Sequence, residues 1–186
     1  MKKLRKLPWA VECPIIIRAK NCKFFVGFTK KSDKQKAFII GGGIGVLGYH
    51  METITETAIR GAREALGMEV TFEQRFSGIF MPTMIAVKVA YRGRELEAAL
   101  YGLGNFETAD DTKISDLGIK KIYQSTAYSL TVHAEKLDLN QVDIETWLRP
   151  GRGVDKIIVV EPDDAKKIKF GFDHHRKICH RALLYA

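Results

Sequence analysis

The segment Thr53–Gly67, TITETAIRGAREALG, constrains the fold of this 186-residue chain more than any other stretch. Thr53 and Glu56 form a capping-box pattern at its start, and Gly67 is the residue type that ends a helix in the left-handed conformation. At about 100° per residue, one stripe of this helix is apolar. That stripe consists of Ala58, Ile59, Ala62, Ala65 and Leu66. The sequence therefore predicts an amphipathic helix that packs on a sheet.

Three consecutive glycines, Gly41, Gly42 and Gly43, precede this helix. They follow a short apolar run, so they predict a glycine-rich turn at the end of a strand. Free backbone N–H groups in such a turn bind anions, and glycine lets a ligand approach the main chain closely. We therefore expect Gly42 and Gly43 to contact a ligand. His50, in the loop before the helix, is a candidate to reach a ligand phosphate.

The remaining elements alternate between short apolar runs and polar segments. The predicted strands are Pro14–Ile17, Lys23–Phe28, Ala37–Ile40, Phe72–Phe80, Ile85–Tyr91, Ser125–Val132 and Lys156–Val160. We expect helices at Arg94–Leu103 and after Asp173, a turn or short helix in Glu161–Lys167, a surface loop at Asn105–Gly118 and an irregular segment at Leu137–Val154. This order of elements favours an α+β or sandwiched-sheet fold.

The amino-acid composition is that of an ordinary globular protein, with 46% hydrophobic and 28% charged residues. The length suits a single domain over residues 1–186. No apolar run is long enough to span a bilayer, and the N-terminus lacks a secretory signal, so we expect a cytoplasmic protein without a membrane partner. The three cysteines, Cys13, Cys22 and Cys179, lack the spacing of a disulfide framework or a zinc ribbon.

The formal net charge of +8 favours a phosphate-bearing partner, which could be a nucleotide, RNA or DNA. The bases concentrate in Lys2–Lys6, Lys30–Lys36 and Lys166–Lys177. Because no aromatic residues alternate with them as a stacking platform would require, we favour a solubilising surface. RNA remains an alternative partner.

The polar face of the central helix allows two interpretations. Glu56, Arg60 and Glu64 are spaced four residues apart, which is typical of an exposed face with salt bridges of about 0.2–0.5 kcal/mol each. The other interpretation is functional, because Glu52, Arg60, Glu64 and Gly67 resemble the Nudix box. In that family the box is a glycine, five residues, a glutamate, seven residues and then Arg-Glu-U-x-Glu-Glu-x-Gly-U, where U is bulky and apolar.

Anchored on Gly67 and Met68, this resemblance places Glu52 on the first glutamate, Arg60 on the arginine and Glu64 on the first residue of the Glu-Glu pair. It implies catalytic roles for these three residues and Mg²⁺ or Mn²⁺ as the cofactor. The box is degenerate. Gly61 and Ala65 stand where two of three metal-binding carboxylates are expected, and the glycines lie further upstream than usual. Glu56 and Glu64 are then the candidate metal ligands.

The segment Lys169–Leu183, KFGFDHHRKICHRAL, extends the resemblance. Phe172, Asp173 and His174 are similar to the Phe-Asp-His motif of a Nudix subgroup that includes ADP-ribose-type hydrolases and transcriptional regulators of NAD metabolism. The resemblance implies an α/β fold, a Nudix-like α/β/α sandwich with a mixed β-sheet, a possible homodimer, and an insertion at about residues 84–123. In the regulators a winged helix-turn-helix follows this helix. The chain ends at Ala186, so we expect no DNA-reading role.

Three hypotheses follow from these observations. The first is a domain that binds a nucleoside-diphosphate-linked ligand, such as ADP-ribose or an NAD-related compound, with hydrolysis impaired or lost. The second is an active Mg²⁺-dependent pyrophosphohydrolase in which Glu52, Glu56 and Glu64 hold the metal. The third is an RNA- or protein-binding component that retains the fold. Separately, the i,i+4 spacing of His175 and Cys179 is compatible with two zinc ligands.

Overall fold

A mixed β-sheet with helices on both faces forms the protein. The computed structural model describes residues 5–47, 50–72, 84–91, 93–114, 120–151 and 153–186. The strands are β1 Arg5–Glu12, β2 Ile15–Arg18, β3 Lys23–Lys30, β4 Asp33–Phe38, β5 Gly41–Leu47, β6 His50–Met51, β7 Glu69–Phe72, β8 Met84–Tyr91, β9 Arg94–Ile114, β10 Lys120–His133 and β11 Val154–Val160. The helices are α1 Ile54–Leu66, α2 Gln141–Trp147, α3 Pro162–Ala165 and α4 Asp173–Tyr185, with a 3₁₀ turn at Glu135–Leu137.

The long strand β10 organises the sheet. One of its edges pairs antiparallel with β9, which continues to β8 and β7. Its other edge pairs parallel with β1 in its first half and with β2 in its second half. From β1 the sheet continues to β5 and β6, and from β2 it continues to β3, which pairs with both β4 and β11.

Alternate side chains of the central strands enter two separate cores, one on each face of the sheet. Ile15 and Ile17 are fully buried in the first core, whereas Ile16, between them, is buried in the second. The first core also contains the apolar residues of α1 and α2, and the second contains those of α3 and α4. The period of two along a strand dictates this division. The layered mixed α/β arrangement expected from the sequence is confirmed.

Helix α1 begins and ends as predicted, and the described parts of the predicted strands lie in strands apart from Pro14, just before β2, and Ile39–Ile40, just beyond β4. The prediction of a helix at Arg94–Leu103 is wrong, because this segment is the first half of β9. Its sequence, rich in Glu, Ala and Leu, favours a helix locally. Pairing with β8 on one side and β10 on the other buries Ala98, Ala99 and Leu100, and this tertiary context overrides the local preference.

Four further expectations need correction. The predicted surface loop at Asn105–Gly118 is strand β9 as far as Ile114, and its remaining residues lie outside the described part of the chain. The short helix α2 lies within the segment expected to be irregular. The strand expected to start at Ala37 already starts at Asp33, as β4. Asp173 is the first residue of α4 rather than its cap, since Phe172 occupies the cap position without a capping side-chain hydrogen bond.

The three glycines do not form a turn. Gly41, Gly42 and Gly43 are the first residues of β5 and pair with Glu12, Val11 and Ala10 of β1. The backbone of a paired strand is committed to its neighbour, so the expected phosphate-cradling turn is absent from this stretch. None of the helices in the described residues has the length and apolar character required to cross a bilayer.

Gly41 and Gly42 make a matched pair for a test of this packing. A Cβ atom at Gly41 would lie 2.5 Å from both the Glu12 carboxylate and the Val11 carbonyl oxygen. At Gly42 the nearest atoms would be the Arg60 guanidinium nitrogens at 3.6 and 3.7 Å, an ordinary contact. We expect Gly41→Ala to lower the free energy of unfolding by about 1–3 kcal/mol, as overpacking does, and Gly42→Ala to change it little. Urea unfolding of both variants checks this; equal effects would contradict it.

Candidate functional site

Helix α1 is fixed at both ends by local hydrogen bonds. The Thr53 hydroxyl accepts a hydrogen bond from the Glu56 N–H at 3.2 Å, and the Glu56 carboxylate accepts one from the Thr53 N–H at 2.8 Å. At the other end, Gly67 has φ 71° and its N–H donates to the Arg63 carbonyl at 2.8 Å. The capping box predicted from the sequence is therefore present. It commits Glu56 to the helix start.

Arg60 is buried at the centre of the contact between α1 and the sheet. Its Nε donates to Glu52 Oε1 at 2.8 Å, and its Nη2 donates to the Gly43 carbonyl oxygen, also at 2.8 Å. Its Nη1 donates to Glu64 Oε2 at 3.1 Å. One planar guanidinium thus joins strand β5, the segment before the helix and the helix itself.

The Glu52 carboxylate is fully engaged within the protein. Besides Arg60, it accepts hydrogen bonds from the Gly45 N–H at 2.7 Å and the Thr57 hydroxyl at 3.2 Å. Burial by itself would raise the pKa of Glu52, but the hydrogen bonds from Arg60 and Gly45 prevail and lower it. The pKa of Arg60 is raised by the same partnership, against the effect of its own burial. Both groups are held in their charged forms.

A pocket of about 430 Å³ opens beside the second half of α1. One wall consists of Gly41 from β5 and of Gly61, Glu64 and Ala65 from the helix. The other residues that line it are Phe28, Lys30, Lys31, Ser32, Gly153 and Val154. The Glu64 side chain is 56% exposed, whereas that of Arg60 is only 8% exposed. Glu64 thus belongs to the pocket, and Arg60 belongs to the framework behind it.

Gly151, shortly before β11, contacts the end of α1 next to this pocket. The Gly151 N–H donates to the Ala65 carbonyl at 2.7 Å, at the last turn of α1. A Cβ atom at Gly151 would overlap the Glu64 and Ala65 backbones, so this close approach requires glycine. Gly151 and the end of α1 are therefore packed backbone to backbone.

The structure brings some of the candidate residues together and separates others. Glu52, Arg60, Glu64 and Gly43 form the connected network described above, and Gly42 lies against the Arg60 guanidinium. Among the described residues that line the pocket, Glu64 alone was a candidate from the sequence. The backbone of His50 pairs with Leu47, but its side chain lies outside the described part of the structure.

Sequence reasoning did not assign Lys30, Lys31 and Ser32 to a site. They lie at the end of β3 and in the turn between β3 and β4. This hairpin places them on the pocket beside α1. The available signal was the local concentration of lysines around residue 30, which we interpreted as solubilising surface. Lys30 is half-buried, with its Nζ 3.9 Å from the centre of the Phe38 ring.

A second polar cluster lies buried on the opposite face of the sheet. His174 and His175, at the start of α4, place Nε2 atoms 3.8 and 3.5 Å from Glu12 Oε1. Burial would raise the pKa of Glu12, but hydrogen bonding and attraction to His174 and His175 outweigh it and lower this pKa to about 2. The aromatic rings of Phe38, Phe170 and Phe172 surround His175.

The two histidines and Glu12 place one possible metal-ligand atom each within 4.8 Å of one another. The hydrogen bonding of His175 favours a structural role for this cluster over metal binding. Its Nδ1 accepts a hydrogen bond from the Ile39 N–H at 3.4 Å, which assigns the proton of a neutral ring to Nε2. In that tautomer Nε2, 3.5 Å from Glu12 Oε1, carries the proton and offers no lone pair to a metal. The cluster therefore ties α4 to β1.

The surroundings of Cys179 argue against the zinc site in which His175 and Cys179 would be two of the ligands. The thiol is buried, and burial raises its pKa to about 12, so the thiolate that zinc requires is disfavoured. Since Nδ1 of His175 accepts from Ile39 and Nε2 faces Glu12, neither ring nitrogen is available to pair with the sulfur.

A larger groove of about 880 Å³ runs along α4. Its floor includes Phe106, Ala165, Cys179 and Leu183, and its basic side chains are Lys166, Arg176, Lys177 and Arg181. Arg181 lies over the Phe106 ring, 5.1 Å from its centre, and donates to the Leu103 carbonyl at 2.7 Å. This surface is basic and partly apolar.

Solved structures with the same arrangement of strands and helices exist. The NUDIX domain of Shewanella oneidensis NrtR complexed with ADP ribose superposes with a TM-score of 0.57 at 9% identity, covering 97% of this chain and 88% of that one. The chain has the Nudix fold. A C. elegans Ap4A hydrolase binary complex gives a TM-score of 0.53 at 11% identity, covering 95% and 96% of the two chains.

A third Nudix-fold neighbour, the E. coli dihydroneopterin triphosphate pyrophosphohydrolase, gives a TM-score of 0.52 at 13% identity, with 99% of this chain and 100% of that chain covered. At these identities the likeness is one of fold. No protein-family model matches the sequence, and no curated protein matches it significantly.

The described residues do not suit the magnesium site that the box of the Nudix fold implies. Mg²⁺ prefers hard oxygen ligands in near-octahedral geometry. Glu52 already accepts hydrogen bonds from Arg60, Gly45 and Thr57, and Glu56 is held in the capping box. Among the described residues, this leaves Glu64 as the one carboxylate on the pocket, and Arg60 already pairs with it.

The Arg60 network generates a stability prediction. We expect Arg60→Met to lower the free energy of unfolding by about 3 kcal/mol, because it leaves the Glu52 charge buried without its main partner. Arg63→Met, on the exposed face of the same helix, should cost less than about 0.5 kcal/mol. The double variant Glu52→Gln/Arg60→Met should lose less than the sum of its two single changes. Additive losses in urea unfolding would show that the two residues are not coupled.

Glu12 generates a pH prediction. Its pKa is about 2 in the folded protein against an ordinary value of 4.5, so its contribution to stability is present above pH 4.5 and is lost as the pH falls towards 2. The contribution is on the order of 3 kcal/mol. We expect Glu12→Gln to be less stable at neutral pH and to lose less stability between pH 5 and pH 2. Parallel acid-unfolding curves for the two proteins would contradict this assignment.

Proposed function

We propose that this Nudix-fold domain binds a ligand in which a nucleoside diphosphate is linked to another group, such as ADP-ribose or an NAD-related compound, and that its hydrolytic activity is impaired or lost. The observation that carries the proposal is the pocket beside α1. It keeps the framework of Glu52, Arg60 and Gly43 behind it but presents Glu64 as the one carboxylate among its described residues.

The chemistry of diphosphate cleavage supports the loss of activity. A bound metal in such a reaction neutralises phosphate charge and activates water, and it requires several oxygen ligands that face the substrate. Gly61 and Ala65 offer none, and the two remaining carboxylates near the helix start are committed to Arg60 and to the capping box. Binding needs only a complementary surface, which this pocket retains.

The fold comparison supports the ligand class. The Nudix domain of NrtR was solved with ADP ribose, and two other neighbours are named for hydrolysis of a dinucleoside or pterin polyphosphate. All three names contain a phosphate chain joined to a second group. The net charge of +8 favours such anionic ligands over neutral ones.

The groove along α4 supports a second candidate function, the binding of RNA. Its four basic side chains combine positive charge with a partly apolar floor. An RNA complex held by these basic side chains would weaken steeply as the salt concentration rises.

A melting-temperature screen tests these proposals. We expect ADP-ribose, NADH or a dinucleoside polyphosphate to raise the melting temperature, because a ligand that binds the native state stabilises it. A flat response across the panel would refute the proposed ligand class, and a rise with single-stranded RNA at low salt alone would favour the second candidate. Product assays with Mg²⁺ or Mn²⁺ should show no turnover above a Glu64→Gln control. Turnover above that control would establish an active hydrolase instead.

A further inference from the structure

The pocket beside α1 has an unusual charge arrangement for a site that would hold a phosphate chain through a divalent metal. Such a site is rich in carboxylates, which repel a phosphate chain until the metal bridges them. Here Gly61 and Ala65 contribute no charge, and Lys30 and Lys31 line the same pocket. The described lining therefore carries more positive than negative charge before any metal binds.

The single carboxylate of the lining does not reverse this balance. Glu64 accepts a hydrogen bond from Arg60 Nη1 at 3.1 Å, so a fixed positive charge accompanies it. An Arg–carboxylate pair presents little net charge to a ligand beyond the pair. Lys30 and Lys31 are the other charges among the described lining residues, and Lys30 is also attracted to Glu12 and Asp33, which lie outside the lining.

Packing on aromatic rings positions the Lys30 ammonium group. Its ammonium group lies 3.9 Å from the centre of the Phe38 ring and 5.9 Å from that of Phe172. Partial burial lowers the pKa of Lys30, while attraction to Glu12 and Asp33 works in the opposite direction. A lysine held over aromatic rings loses less freedom when it meets an anion than one on a free surface does.

Lys31 and Ser32 complete this side of the pocket from the turn that follows β3. An ammonium group is a compact charge that binds phosphate oxygens, and a hydroxyl donates a further hydrogen bond. Gly41 and Gly61 line the same pocket and contribute no charged side chain to it.

We infer that the pocket binds the diphosphate of its ligand directly, through Lys30, Lys31 and Ser32, without a divalent metal. This inference rests on the proposed function and specifies how that site recognises its ligand. It explains in one step why the lining lacks two carboxylates and why it contains two lysines. Adding carboxylates to this pocket without a metal would weaken the binding of an anion.

Calorimetric titration of ADP-ribose, with EDTA or with Mg²⁺, tests the inference. We expect the wild-type protein to bind in EDTA and its affinity to change by less than about threefold with Mg²⁺. Lys31→Met and Lys30→Met should each weaken binding by about tenfold, the effect of losing one close charge pair. Lys20→Met, at the exposed turn at the other end of β3, is the matched control and should leave the affinity unchanged.

A further variant places carboxylates at positions 61 and 65, where the Nudix-box resemblance leads one to expect them. The variant is Gly61→Glu/Ala65→Glu, and a Cβ at position 61 would make ordinary contacts of 3.5–3.6 Å with Ile40 and Gly41. We expect this variant to lose at least tenfold in affinity in EDTA and to recover it with Mg²⁺. If it does not fold, as judged by circular dichroism, the two lysine variants still decide the question.

The outcomes separate this inference from the proposed function. Binding of ADP-ribose by the wild type only with Mg²⁺ would refute the inference and leave the proposed ligand class intact. Binding in EDTA that Lys30→Met and Lys31→Met do not weaken would refute the lysine site. No binding of ADP-ribose or of the other panel compounds in either condition would refute both.

Discussion

The contact between the Arg60 guanidinium and its three oxygen partners is the constraint on which the candidate site depends. It fixes α1 against β5 through the Gly43 carbonyl, and it fixes the preceding segment through Glu52. A lysine at position 60 would carry its three N–H donors on a single nitrogen and could not reproduce the planar fork in which Nε, Nη1 and Nη2 of Arg60 each meet a different acceptor. A buried ion pair adds little net stability, but it specifies one arrangement of the groups around it. Here that arrangement places Gly61 of the helix against Gly41 of the strand.

A break between β1 and β2 explains why the pocket has an open side. Both strands run parallel to β10, but β1 continues the sheet to β5 and β2 continues it to β3. Pro14 lies between them and has no N–H to donate to a neighbouring strand. The Cys13 N–H donates to the Ile40 carbonyl, and the Leu130 N–H donates to the Pro14 carbonyl. The sheet therefore branches here, and the β3–β4 turn reaches the pocket from one branch while β5 reaches it from the other.

How much the sequence predicts depends on whether the deciding contacts are local. Helix α1 was predictable because Thr53, Glu56 and Gly67 interact within one or two turns. Strand β9 was not, because its helix-forming residues are held extended by β8 and β10. The pocket lysines lie more than thirty residues from Glu64, and Glu12 lies more than 160 residues from the histidines that it meets. A local sequence pattern cannot predict contacts between residues so far apart in the chain. The framework of Glu52 and Arg60 was therefore predictable, whereas the pocket lining that includes Lys30 and Lys31 was not.

The residues that match the Nudix box and those that depart from it serve different purposes in this structure. Glu52, Arg60 and Gly67 position and terminate the helix, and the fold needs them whether or not a metal binds. Their presence is therefore an argument about the fold and carries no information on catalysis. Gly61 and Ala65 line the pocket, and a Cβ at position 61 would make ordinary contacts with Ile40 and Gly41. In the proposed binding mode, these two positions matter because a phosphate chain held by Lys30 and Lys31 is bound more tightly where the facing helix carries fewer negative charges.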